Sequence, residues 1–349
     1  MRGKGLRPKC AAAFVSVFLL AGDASAQWQT VAPAGDTVCS DGSPFRFFVH
    51  PGDAAKLLVE FEGGGGCWSA ATCELDIYTR RITTDPEQAR QQGLLQGIYD
   101  RSNADNPFRD FTHVFVPYCT GDLHWGNATQ NYAGSTGAYT VRHRGAVNAA
   151  AAVNWSFANV AAPSQLVVAG CSAGGYGATL WAPHLMARYP GANAVHIADS
   201  AAGVVPAGFF QTILSAWNVG AAWPSFIPSL ALDRLDPARV TLADVYSGIA
   251  GHFPLAAFSQ YNTLQDTTQV FFYALSRGAL ATPAEWSARM QEQVAAIQGV
   301  NPNFAAYTAP GTQHCVINRP EFYTTQVGGT RFSDWVRRLV ATGHPGSLP

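Results

Sequence analysis

The stretch Gln165-Leu166-Val167-Val168-Ala169-Gly170-Cys171-Ser172-Ala173-Gly174 decides how this chain is read. Leu166 to Ala169 form a short, continuous apolar run, as expected of a strand buried on both faces. It runs into a glycine-rich turn, and the residues after the turn suit a helix to about Arg188. Gly170-Cys171-Ser172-Ala173-Gly174 fits G-x-S-x-G, a serine lifted onto a sharp strand-to-helix turn. The flanking positions must be small so that the backbone can fold back. The serine hydroxyl then stands at the carboxyl edge of a sheet, and the N–H of Ala173 points where an oxyanion would form.

Working outward, apolar runs alternate with helix-like stretches. Lys56–Phe61, Phe111–Pro117, Ala194–Ala198, Leu255–Tyr261 and Phe304–Thr308 read as strands, and alanine-rich Gly145–Asn159 as a helix. This alternation implies an α/β fold of the α/β-hydrolase-like kind, a mostly parallel central sheet with helices on both faces. Pro206–Asp236 is rich in Trp, Phe and Pro without strand periodicity. It reads equally as a cap over the sheet or as irregular core helices.

A nucleophilic serine needs a base and an acid, in this fold ordered Ser, acid, His. Five histidines follow Ser172: His184, His196, His252, His314 and His344. His184 is expected to face outward from its helix, His196 to lie in a strand and His344 in a frayed tail. His314 follows a strand late in the chain and is the expected base, with His252 in reserve. Asp266 follows another strand and is the expected acid, ahead of Asp199 and Asp244. Gly63-Gly64-Gly65-Gly66 follows the Lys56 strand, so Gly65 or Gly66 with Ala173 can form the oxyanion hole. Asp122, His124 and Trp125 also follow a strand and are candidate substrate contacts, with Trp68 and Asp199. Trp217 and Trp223 could add to an apolar site. Asp122 and His124 lack a third metal ligand, so no metal is expected, and serine chemistry of this kind requires no cofactor.

The N-terminus has the layout of a secretory signal. Arg2, Lys4, Arg7 and Lys9 precede the apolar run Ala11–Ala21 and the small-residue site Ala24-Ser25-Ala26. Cleavage after Ala26 would leave residues 27–349 as one catalytic domain, secreted or periplasmic. The apolar run is too short for a membrane span, which needs about 20 residues. The whole chain has 349 residues, 48% hydrophobic and 13% charged, with a formal net charge of −1. Such values exclude a disordered chain and an electrostatic nucleic-acid binder. Without the signal's four basic residues and Asp23, 18 basic and 22 acidic residues remain, a net of −4. Cys10 leaves too, and six cysteines in an exported protein suggest three disulfides. Cys67 and Cys73 enclose a short loop and should pair. Cys171 precedes the serine and Cys315 follows the histidine, so a bridge between them would clamp nucleophile to base. Cys39–Cys119 follows by subtraction.

Together these residues resemble the pectin acetylesterase family, to which the Notum deacylases also belong. The resemblance runs from about Cys39 to His314. It rests on Cys39-Ser40-Asp41-Gly42-Ser43-Pro44, on Glu62-Gly63-Gly64-Gly65-Gly66-Cys67-Trp68 and on Val116-Pro117-Tyr118-Cys119-Thr120-Gly121-Asp122. The Ser172 turn, Asp266-Thr267-Thr268-Gln269 and His314 complete it. The resemblance implies an α/β-hydrolase esterase, with O-acetylated polysaccharide as the first substrate class. Cysteines flanking both serine and histidine depart from the family pattern and are similar to tannases, feruloyl esterases and some polyester depolymerases. Aromatic or polyester substrates are therefore the alternative. A carbohydrate- or lipid-binding pseudoenzyme is disfavoured because every triad position holds a competent residue.

Overall fold

A computed structural model describes residues 27–349, so the signal-peptide reading lies outside the described residues. Eight strands form the central sheet: β1 Gln29–Val31, β2 Phe47–His50, β3 Asp53–Phe61, β4 Phe111–Val116, β5 Gln165–Cys171, β6 Asn193–Asp199, β7 Ala257–Thr263 and β8 Phe304–Ala309. Their spatial order is β1-β2-β4-β3-β5-β6-β7-β8. All pairings from β4 to β8 are parallel, and β1 and β2 add an antiparallel edge. The parallel strands are buried almost end to end, which explains why their sequences are apolar without alternation.

Alternate side chains of each strand feed two separate cores. Leu57, Val59, Leu166 and Val168 point into one, with Ala149, Val153 and Leu180 from helices α1 (Gly145–Asn159) and α2 (Ala173–Arg188). Leu58, Val167 and Ile197 point into the other, against Trp335, Val336 and Leu339 of helix Phe332–Thr342. Helices therefore cover both faces of an α/β-hydrolase-like sheet. Among the described residues, no helix is long and apolar enough to cross a membrane.

Four details depart from the sequence reading. The strand expected from Leu255 begins at Ala257, because Leu255 sits almost fully exposed in the preceding turn. His184 does not face outward: its Nε2 meets the Ala222 carbonyl at 2.9 Å, under the stretch that follows β6. The C-terminal tail is docked, with Leu348 exchanging backbone hydrogen bonds with Ala306 and Thr308. Residues 128–143 form an unforeseen antiparallel hairpin whose polar residues alternate with half-buried ones. Pro206–Asp236 folds as helix Phe209–Trp217 and two single 3-10 turns, and its Phe210, Ile213 and Trp217 are core residues. It is both core and cap.

Candidate active site

Ser172 stands between the end of β5 and the first residue of α2, at φ 54° and ψ −124°. A non-glycine residue held there costs energy and must be over-determined by its surroundings. The surroundings are glycines. A Cβ on Gly170 would lie 2.2 Å from the Gly174 carbonyl oxygen, and one on Gly174 would lie 1.9 Å from that of Phe61. The turn can close this tightly only because both positions lack a side chain. As the first residue of α2, Ala173 carries one of the N–H groups that a helix start leaves without an internal acceptor.

His314 follows β8 in a loop that returns over the sheet edge. Its Nδ1 lies 2.8 and 3.0 Å from the two carboxylate oxygens of Asp266. Asp266 is fully buried directly after β7, where it caps helix Thr267–Arg277. It also accepts from the backbone N–H of Gln269 at 2.9 Å and from its side-chain amide at 3.0 Å. With the carboxylate as acceptor, the imidazole proton belongs on Nδ1, leaving Nε2 as the base. Nε2 of His314 is buried and has no hydrogen-bond partner, while the ring lines the same pocket as Ser172.

The three disulfides are Cys39–Cys119, Cys67–Cys73 and Cys171–Cys315, the last with Cα atoms 5.7 Å apart. Two clusters bring a histidine near paired cysteines, Cys67–Cys73 with His143 and Cys171–Cys315 with His314. In both, the sulfurs are bonded to each other and offer no thiolate to a metal.

Three carbonyls of the loop after β3 are held by neighbouring elements. That of Glu62 lies 2.9 Å from His124 Nε2, that of Gly64 accepts from Thr79 N–H at 2.8 Å, and that of Gly65 accepts from the Tyr118 hydroxyl at 2.9 Å. Gly65 has φ +76°, and a Cβ there would collide with the Ile77 carbonyl. Gly65 and Gly66 line the pocket beside Ser172 and Ala173. The Glu62 carboxyl, hydrogen-bonded by Thr84 and the Tyr118 N–H, is pushed up to about 7 by burial.

The pocket is walled by Trp68, Leu123, Trp125, Phe210, Ile213 and Trp217, all apolar contributions. Trp68 and Trp125, two of the candidate substrate contacts, thus line the pocket. Asp122, His124 and Asp199 are corrected: none lines the pocket, and all three are buried. Asp122 accepts from Thr120 Oγ1 and the N–H groups of Gly145 and His124, and burial pushes its carboxyl up to about 6. His124 braces Glu62, and burial brings it down to about 4, a neutral ring at pH 7. Asp199 accepts from Ser200 and from the N–H groups of Val316 and Ile317. A polar residue after a strand can face the ligand or the scaffold, and its backbone partners decide which. Trp223 is also scaffold, donating to the Leu230 carbonyl. The sequence reading missed Tyr176, Gln269 and the wall from Phe209 to Ile213. The aromatic density of Pro206–Asp236 was the available signal for that wall.

Residues 22–216 match the profile of the family described as Pectinacetylesterase, more than half of the chain. The chain is 31% identical over 100 residues to Palmitoleoyl-protein carboxylesterase NOTUM of Schmidtea mediterranea, 28% of this chain and 19% of that protein. It is 26% identical over 151 residues to Pectin acetylesterase 5 of Arabidopsis thaliana, 42% of this chain and 34% of that protein. The aligned stretches thus span about a fifth to a third of these curated relatives. A solved structure of the Wnt deacylase Notum from Drosophila superposes with a TM-score of 0.64 at 17% identity, over 92% of this chain and 95% of that one. That likeness speaks for the fold. The family match ends before Asp266 and His314, and His314 lines the same pocket as Ser172. The chain belongs to the pectinacetylesterase family.

Proposed function

We propose that this protein is a serine carboxylesterase in which Ser172, His314 and Asp266 act as nucleophile, base and orienting acid. The observation that carries the reading is His314. One nitrogen is fixed on a buried carboxylate, and the other is buried, unpartnered and in the pocket of a strained serine. In the reaction, Ser172 Oγ attacks the ester carbonyl as its proton passes to His314 Nε2. The N–H of Ala173, with that of Gly65 or Gly66, receives the oxyanion, each donor contributing about 3 kcal/mol in the transition state. His314 then protonates the leaving alkoxide, and the acyl group remains on Ser172. Water, deprotonated by His314, releases the acid. None of these steps draws on a cofactor. Hydrolysis of p-nitrophenyl esters by wild type and Ser172→Ala tests the assignment. The variant should lose at least about 10³-fold in kcat, and equal rates would refute it. Ester binding without labelling of Ser172 by a fluorophosphonate would favour the pseudoenzyme instead.

The family name points to O-acetylated polysaccharide, but the pocket walls favour an ester with a larger apolar acyl or aryl group. An acetyl group would leave most of Phe210, Ile213 and Trp217 uncovered. Each buried methylene of a longer acyl group is worth about 0.8 kcal/mol. An acyl series from acetyl to octanoyl, with feruloyl and polyester substrates, decides between them. Val205→Trp, on a half-buried part of the wall, should reduce kcat/KM for octanoyl about tenfold more than for acetyl. Equal losses would return acetyl to first place.

Export is proposed from the signal-like N-terminus and supported by three disulfides in one chain. N-terminal sequencing of the exported protein should begin at Gln27.

A further inference from the structure

β5 and β6 are paired in register to their last residues, so Cys171 lies beside Asp199. Two links leave this point for the His314 loop. One is the Cys171–Cys315 bridge. The other runs through Asp199 and its neighbour Ser200. The Asp199 backbone carbonyl accepts the N–H of Ser172 at 2.8 Å. Its Oδ2 accepts the N–H groups of Val316 and Ile317 at 2.7 and 2.8 Å. Its Oδ1 accepts the Ser200 hydroxyl at 2.9 Å, and Ser200 Oγ in turn accepts the Cys315 N–H at 2.9 Å. Asp199, with Ser200, therefore holds the backbone of the nucleophile and the three residues after the base.

The carboxylate is fully buried and, among the described residues, makes no ion pair. Burial raises its pKa, and the two backbone donors, Ser200 and the charge of nearby His314 oppose the rise. Ser172, Ser200 and Cys315 all sit at positive φ, 54°, 54° and 62°. Three residues strained in this way around one carboxylate need several simultaneous restraints to persist. A disulfide fixes a distance at one residue but leaves the loop free to pivot. Hydrogen bonds to consecutive N–H groups fix its orientation as well.

We propose that Asp199 is a positioning residue, a non-covalent clamp that works in parallel with Cys171–Cys315 to orient the His314 loop against the Ser172 turn. Its kinetic consequence rests on the esterase reading, but its structural consequence does not. Because either clamp partly covers the loss of the other, removing both costs more than the two single losses multiplied together.

The test uses Asp199→Asn, the pair Cys171→Ala with Cys315→Ala, and all three together. Asn keeps the shape and one acceptor oxygen. kcat and KM are measured on p-nitrophenyl butyrate per fluorophosphonate-titrated site, and hydrogen exchange is followed at the amides of Val316 and Ile317. Each clamp removed alone should lower kcat about tenfold with KM within about twofold, the size of a small misplacement of a catalytic group. The combination should exceed the hundredfold product. The two amides should stay protected without the bridge and lose protection once Asp199→Asn is added. A combined loss at or below the product, or amides indifferent to Asp199→Asn, would overturn the clamp. If Asp199→Asn does not fold, the bridge-free protein decides alone: protected amides support the clamp and freely exchanging ones refute it. Amide exchange needs no turnover, so failure of the esterase reading would show separately, as full activity in Ser172→Ala.

Discussion

Asp199 ends strand β6 and Asp266 follows the neighbouring β7, at the same edge of the sheet, and both are fully buried. Their partners differ. Asp199 receives backbone N–H groups and a hydroxyl, all fixed in place. Asp266 receives Gln269 and the imidazole of His314, a ring that in the proposed reaction gains and loses a proton. The contrast teaches that residue type and position along a strand do not separate an orienting acid from a structural one. The hydrogen-bond partners do.

The largest test of that contrast is Asp266→Asn. The amide would still bond to His314 but would favour the wrong tautomer, and kcat should fall about 10⁴-fold. A loss as small as that expected of Asp199→Asn would erase the distinction between the two. Gln269→Ala removes one donor to Asp266 and the acceptor for the Ala202 N–H. It should lower kcat about tenfold with little change in KM, a smaller effect because the imidazole contact remains. Steady-state kinetics on titrated sites checks both.

A third buried acid sharpens the comparison with the smallest effect. Glu60 lies 2.7 Å from His113 Nε2, beneath the sheet and away from the pocket. Burial pushes its carboxyl up to about 8, while burial also holds His113 well below the usual histidine range. Glu60 therefore stays protonated in the folded protein, whereas in the unfolded chain it ionises near its ordinary value of 4.5. Unfolding releases a proton between those values, so its contribution to stability is complete below pH 4.5 and is lost as pH rises toward 8. Glu60→Gln should leave kcat near wild type and flatten the decline of Tm over that pH range. A large kcat loss would show that a buried acid can serve the reaction without touching His314.

Much of this was legible in the sequence because it depends on local rules. Helix Gly145–Asn159 and strand Gln165–Cys171 follow from apolar pattern and glycine placement, and they appear where the pattern put them. The Ser172 turn was legible because only glycine tolerates its closest approaches. The hairpin at residues 128–143 was not, since its pattern of exposed and half-buried residues depends on what packs beneath it. Asp122 and His124 misled for a related reason. They follow a strand, as substrate contacts do, yet their polar atoms are taken by Gly145 and Glu62, residues distant in the chain.

The sequence by itself determined the sheet, the strained serine turn and which cysteines flank serine and histidine, because periodicity, glycine sterics and spacing act over a few residues. Only the tertiary structure brings the Asp266 carboxylate onto His314, the Asp199 carboxylate onto the residues after it, and the aromatic stretch after β6 to the pocket wall. Those placements depend on hydrogen bonds and packing between residues 48 to 118 positions apart, and local pattern carries no record of them.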